Sequence, residues 1–205
     1  MRYCVFFLMF LAMASASYAD TLVVFDGGDK DKGKAWIHPR GKSIPGTERT
    51  ADGKKVPPRK STFSRSVQHP FSNKHHLEFY TALDTGWAGG GWNWCSWKDK
   101  GVDLSSYKYL VFRIGVSTKS FKTIKFLFVR LTSGHPGKQD ELGPKVIFQQ
   151  KIEKKNKYVE IRIPMEKLKG GDLDIKNVWG INFEIYGKKS DGSARLFIDQ
   201  IEFTD

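Results

Sequence analysis

From His75 onward the chain is a succession of short segments in which apolar and polar residues alternate. The runs His75–Leu83, Trp92–Lys98, Tyr107–Val116, Lys122–Leu131, Lys145–Ile152, Lys157–Ile163, Val178–Tyr186 and Ala194–Thr204 mostly repeat at period two. That period is the mark of strands with one face in a core and one in water. Leu22–Asp26 adds a short apolar strand near the start. Turn-forming residues separate many of the runs: Lys100-Gly101, His135-Pro136-Gly137, Gly170-Gly171 and Ser190-Asp191-Gly192. Only Met165–Lys169 reads as a helical turn, and nothing recurs at a fixed repeat length. Short, closely spaced strands of this kind predict an all-β fold, an antiparallel β-sandwich of the jelly-roll type.

The first nineteen residues read as a signal peptide. Arg2 is a positive start, Val5–Ala14 is an apolar run, and Ser17-Tyr18-Ala19 is a small-x-small cleavage signal before Asp20. The apolar run is too short for a permanent membrane anchor. A secreted or periplasmic single domain over residues 20–205 is therefore expected. Of the 205 residues, Cys4 and Cys95 are the two cysteines, so Cys95 alone follows the cleavage point. An intramolecular disulfide and a multi-thiolate zinc site are then excluded.

Charge is concentrated early. The formal net charge is +12, and +11 once Arg2 is removed. Residues 27–76 hold twelve Lys or Arg and four Asp or Glu, a net +8. That stretch, rich in Gly and Pro, reads as a basic loop insertion at about 27–74. It is either a solvated loop or a collar for an acidic ligand. Outside the cytoplasm, the polyanion expected is a glycan or wall polymer rather than nucleic acid.

Period two also assigns faces. Ile181, Phe183 and Ile185 point inward, leaving Asn182, Glu184 and Tyr186 outward. Val159, Ile161 and Ile163 point inward, as do Leu110, Phe112 and Ile114, so Glu160, Arg162 and Arg113 face out as cross-strand ion pairs. In Lys122–Leu131 both faces are apolar. The face carrying Phe126, Phe128 and Arg130 is a candidate ligand surface. Jelly-roll connectivity places the Trp92, Lys122, Lys145 and Val178 strands in one sheet.

The segment Trp87-Ala88-Gly89-Gly90-Gly91-Trp92-Asn93-Trp94-Cys95-Ser96-Trp97 holds four of the six tryptophans. With Cys95 in the core, period two exposes Trp92, Trp94 and Ser96. Exposed indoles are costly unless something stacks on them. Sugar rings present C–H faces that do so, and their hydroxyls need partners such as Asn182, Glu184, Gln149 and Arg130. Trp87 and Trp97 read equally as core or ligand; Trp36 and Trp179 read as core. In the last strand Asp199 shares a row with Phe197, Ile201 and Phe203. A carboxylate on a core row needs compensation, either from hydrogen bonds or from Ca²⁺ held together with Asp26.

Several segments together resemble a known family. Phe25-Asp26-Gly27-Gly28, Trp87-Ala88-Gly89-Gly90-Gly91, Asp103–Phe112, Val159–Pro164, Trp179–Ile185 and Phe197–Phe203 look like a galactose-binding-like β-sandwich, similar to the family 11 carbohydrate-binding modules. The resemblance covers the mature chain except the basic stretch. It implies a concave sheet that holds a glycan and a structural Ca²⁺ near the first and last strands. Asp199 matches the family's carboxylate, and Asp26 stands where relatives often have Glu.

The reading is a non-catalytic polysaccharide-binding protein using Trp87, Trp92, Trp94, Arg130, Gln149, Asn182, Glu184 and Tyr186, with a leaning toward acidic glycans. Two alternatives remain. One is a jelly-roll glycosidase or lyase, for which Tyr186, Arg130, Asn182 and Gln149 could mimic a base and its neutralisers. The other is a basic protein adhering to wall polyanions by charge alone, which salt would abolish.

Overall fold

The structure is a computed structural model. It describes residues 20–28, 33–37, 62–66, 74–82, 87–95, 100–116, 124–134, 141–148, 157–187 and 193–205. The leader, Ser96, Trp97 and Gln149 lie outside the described residues.

Among the described residues twelve strands form two antiparallel sheets. In chain order they are β1 (Thr21–Phe25), β2 (Lys34–Ile37), β3 (Thr62–Ser66), β4 (His76–Ala82), β5 (Trp87–Asn93), β6 (Tyr109–Val116), β7 (Ile124–Ser133), β8 (Glu141–Leu142), β9 (Val146–Ile147), β10 (Val159–Pro164), β11 (Val178–Gly187) and β12 (Ser193–Thr204). A 3-10 turn at Met165–Lys167 follows β10. The first sheet runs β10-β6-β12-β4-β3, with β1 also paired to β12. The second runs β2-β5-β11-β7-β8, with β9 also paired to β7. The strands predicted to share a sheet do so, as β5, β7, β9 and β11. Two strands, β2 and β3, fall inside the basic stretch that reads as a loop. Each extends one sheet, and the Lys-rich sequence hides the short alternations Lys34-Ala35-Trp36-Ile37 and Thr62–Ser66.

The core is aromatic and lies between the sheets. Phe25 meets Trp92 edge-on at 5.1 Å, Phe112 meets Phe183 at 5.4 Å, and Phe63 stacks on Phe183 at 6.3 Å. Ile181, Phe183 and Ile185 point inward as the alternation requires, as do Ile161, Leu110, Phe112 and Ile114. On the outer face of the first sheet Arg113 pairs with Glu160 at 3.2 Å, both partly exposed, so the pair adds little stability.

The last strand departs from its sequence reading. Gln200 has a left-handed φ of 49°, and the register shifts between Asp199 and Glu202. This bulge inverts the alternation. Leu196 and Ile198 before it, and Ile201 and Phe203 after it, all enter the core. Asp199 therefore shares a face with Phe197, not with Ile201 and Phe203, and that face is the outer one. Its cross-strand neighbour there is Arg113. Asp199 is nevertheless fully buried, and its Oδ1 accepts the Gln200 N–H at 2.7 Å.

Candidate functional site: an indole-walled cleft over glycine

The strand β5 determines what the second sheet presents. Its register sets Trp92 opposite Ile181, Gly90 opposite Phe183 and Ala88 opposite Ile185, all inward. Trp87, Gly89, Gly91 and Asn93 then face outward beside Tyr186, Glu184, Asn182 and Gly180. This is the opposite phase to the one expected. Trp92 is fully buried, edge-on to Phe25, and its Nε1 donates to the Val24 carbonyl at 3.0 Å. Trp94 lies beyond the strand, half-buried. It packs edge-on to Phe203 and donates to the Val178 carbonyl at 3.2 Å. Trp92 offers no face to a ligand, and Trp94 lies past the end of the strand that carries the outer face. The inward seat on β5 is filled by Trp92 rather than Cys95, because it faces an apolar position on β11 and Cys95 follows after the strand has ended.

The indoles that do flank the outer face are Trp87, from β5, and Trp36, from β2. Trp36 pairs with Gly91, and its Nε1 donates to Asn93 Oδ1 at 3.0 Å. It was expected in the core. The signal that could have found it is Trp36 in phase with Lys34, the polar side of a strand concealed in a basic stretch. Trp179 is buried, as expected.

The glycines explain the geometry. A Cβ on Gly89 would lie 2.8 Å from the Trp87 ring, and one on Gly91 would strike the Ile181 carbonyl and approach Trp36 Nε1 at 3.0 Å. Bare backbone at both positions lets the two indoles lie close over β5. A narrow cleft results between Trp36 and Trp87. Its floor is Gly89, Gly90 and Asn182, and Arg130 and Glu184 complete the lining.

Glu184 is buried beneath this surface and organises it. Its Oε2 accepts from Trp87 Nε1 at 3.0 Å, Lys145 Nζ at 2.8 Å and Tyr186 OH at 3.1 Å. Its Oε1 pairs with Arg130 Nη2 at 2.9 Å. Burial pushes the Glu184 carboxyl up. The bonds from Lys145 and Trp87 and the charges of Arg130 and Lys145 outweigh that, and hold it below its ordinary range. Burial pushes the Lys145 ammonium down, but its bonds to Glu184 and Tyr186 outweigh that and hold it above its ordinary range. Glu184 was expected to bond ligand hydroxyls. Three donors sit on its Oε2, while Oε1 faces Arg130 as an ion pair and has no hydrogen bond among the described residues, so Glu184 chiefly anchors the groups around it.

Asn182 is 5% exposed, and its Oδ1 has no hydrogen-bond partner among the described residues; Arg130 Nε is likewise without one. Buried polar atoms of this kind are costly unless something completes them. Beyond Glu184 the face continues over Phe128, which meets Tyr186 edge-on at 5.1 Å, to exposed Phe126 and Ile147. The sheet thus brings together Trp87, Arg130, Asn182, Glu184 and Tyr186 from the expected set, adds Trp36 and Lys145, places Trp92 in the core, and leaves Trp94 half-buried beyond the strand.

The Ca²⁺ expectation can be tested on its donors. Asp26 Oδ1 accepts the Gly28 N–H at 2.6 Å and Asp199 Oδ1 that of Gln200. The Gly27 carbonyl accepts from the His75 backbone at 3.1 Å, and the Gly28 carbonyl accepts from Arg65 Nη2. Among the described residues no three His, Cys, Asp or Glu side chains gather. Ca²⁺ takes six to eight oxygens. Asp26 and Asp199 find no third carboxylate, imidazole or thiolate beside them among the described residues, which by themselves do not complete such a site.

A two-sheet antiparallel sandwich with an aromatic, amide-floored cleft on one outer face defines a class: the glycan-binding β-sandwiches. The family model described as Carbohydrate binding domain 30 matches residues 21–205, and the chain belongs to that family. Among solved structures, a family 30 carbohydrate-binding module is similar at 13% identity with a TM-score of 0.59, over 90% of this chain and 99% of that one. A family 11 module from Clostridium thermocellum, in complex with a β-1,3-1,4-mixed-linked tetrasaccharide, is similar at 13% identity and 0.56, over 91% and 96%. A structure described for the promiscuous specificity of β-sandwich carbohydrate-binding modules is similar at 11% identity and 0.56; the chain covers 62% of its length. These likenesses establish the fold. None of the curated protein sequences matches the chain.

Proposed function

We propose that this protein is a secreted, non-catalytic module that holds a polysaccharide in the cleft between Trp36 and Trp87. The observation that carries this is the pairing of two indoles over bare glycine backbone with the unpartnered amide oxygen of Asn182 on the floor. The indoles supply faces for pyranose C–H groups. Asn182 and Arg130 supply hydroxyl partners, and Arg130 and Lys145 set against the single Glu184 charge leave a net positive charge that would favour acidic chains. The mixed-linked tetrasaccharide of the family 11 neighbour supports a β-glucan as the first ligand to try.

The cleft's chemistry favours binding over turnover. A retaining glycosidase needs two carboxylates about 5–5.5 Å apart, and among the described residues Glu184 is the one carboxylate lining this cleft. A lyase needs a free base, but Lys145 is held protonated and the Tyr186 hydroxyl donates to Glu184.

The test is retention on mixed-linkage β-glucan by affinity electrophoresis at low and high salt, for the wild type and for Trp36→Ala and Trp87→Ala. Retention that persists in salt and is lost in both variants is expected. Retention unchanged in both variants would end the cleft assignment. Binding that vanishes with salt would favour adhesion by charge.

A further inference from the structure

The geometry points to a second binding site on the other sheet, shaped for a single carboxylated sugar unit. A cavity of about 450 Å³ opens between the segment leading into β6 and the turn after β10. That volume is in the range of sites for small organic ligands. It lies beside the β6–β10 edge of the first sheet, whereas the indole cleft is on the outer face of the second.

Both walls are preformed. On one side Leu104 is fully buried and its N–H bonds the Ile175 carbonyl at 2.9 Å. Asp103 Oδ1 accepts the Ser105 N–H at 2.9 Å, and these Ser105 bonds hold the Asp103 carboxyl below its ordinary range. The Lys108 N–H bonds the Thr204 carbonyl at 2.9 Å. On the other side Met165 and Leu168 are buried anchors, and the Met165 N–H bonds the Lys108 carbonyl at 2.7 Å. Lys169 Nζ reaches across to the Ser105 carbonyl at 3.3 Å. A pocket held this way needs little ordering when a ligand enters.

Its chemistry alternates as a sugar acid does. Pro164, Met165 and the Tyr107 ring give an apolar wall, and that ring is itself fixed against Phe203. The exposed Ser106 hydroxyl and the Glu166 carboxylate stand ready for sugar hydroxyls, beside a Ser105 hydroxyl already bonded to Asp103. Lys108 and Lys169, from opposite walls, flank the place for a carboxylate. Two ammonium groups against one carboxylate leave the lining net positive. Occupied together with the cleft, such a pocket would let one molecule hold two chains, which multiplies retention without new contacts.

The experiment is a titration of the 20–205 protein with digalacturonate and, separately, with cellobiose, followed by amide and indole NMR. Digalacturonate is expected to shift the amides of Ser105–Tyr109 and Met165–Lys169 while leaving the Trp36 and Trp87 indole signals in place. Lys108→Gln with Lys169→Gln should weaken that binding at least tenfold; Trp87→Ala should not. Equal shifts with cellobiose would overturn the choice of an acidic unit, and silent amides in both titrations would overturn the site. The indole signals report the cleft independently, so failure here and failure there are distinguishable.

Discussion

The indole N–H of Trp87 donates to the carboxylate of Glu184 at 3.0 Å, fixing the edge of an aromatic wall to a charge buried under it. Glu184 is ionised below its ordinary range by the donors around it. A carboxyl whose folded pKa lies below its unfolded value contributes stability above the unfolded value, and loses it as pH falls through the folded one. Glycan retention and melting temperature should therefore be flat from neutral pH down to the usual glutamate range, then fall together below it. Glu184→Ala leaves Arg130 and Lys145 without their anion; both are partly exposed and solvent screens them, so the loss should be smaller than the roughly 3–5 kcal/mol of a fully buried pair. Urea denaturation and retention across the acid range check both.

Trp92 and Trp87 should separate stability from binding. Trp92→Ala empties a fully buried site in the aromatic core and should cost about 3–5 kcal/mol. Trp87→Ala should leave the melting curve close to wild type and abolish retention. A Trp92→Ala protein that stays as stable as wild type would contradict the packing.

The glycine strand should tolerate methyl groups unequally. Gly89→Ala meets the Trp87 ring, which can swing away, so binding should weaken more than stability. Gly91→Ala meets the Ile181 carbonyl, which cannot. It should cost stability as core overpacking does, about 1–3 kcal/mol. Thermal melts set beside affinity electrophoresis distinguish the two.

The bulge at Gln200 gives a gain. Its φ of 49° is strained for a residue with a Cβ. Gln200→Gly should raise stability by up to about 1 kcal/mol without touching retention.

The turn at Asp26 to Gly28 should be indifferent to chelators. Its carbonyls are bonded to His75 and Arg65, so EDTA should leave the melting temperature unchanged while Arg65→Ala lowers it. A fall with EDTA, restored by Ca²⁺, would reinstate the ion.

The strands and their sheet partners were readable because burial imposes period two wherever one face meets a core. Where that period was uninterrupted, as in β11, the outward set Asn182, Glu184 and Tyr186 followed directly. It was unreadable where local structure breaks the count. In β5 three glycines carry no hydrophobic signal, so the phase was taken from Cys95 and came out inverted for Trp92. In β12 one left-handed residue reverses the faces after Asp199, and nothing in the composition marks it. Trp36 was missed because four residues of strand are too few to register among lysines. Lys145 was missed because its role depends on a cross-strand distance to Glu184.

The backbone of β5 has a further implication for how such a surface could acquire new tastes. Because Trp36 and Trp87 both rest where side chains are absent, that strand has almost no room to vary. Changes in ligand choice must come from its neighbours, at Arg130, Lys145, Phe126 and Ile147. The plainest stretch of the molecule is thus the fixed jaw of the vice, and the decorated strands beside it are the adjustable one.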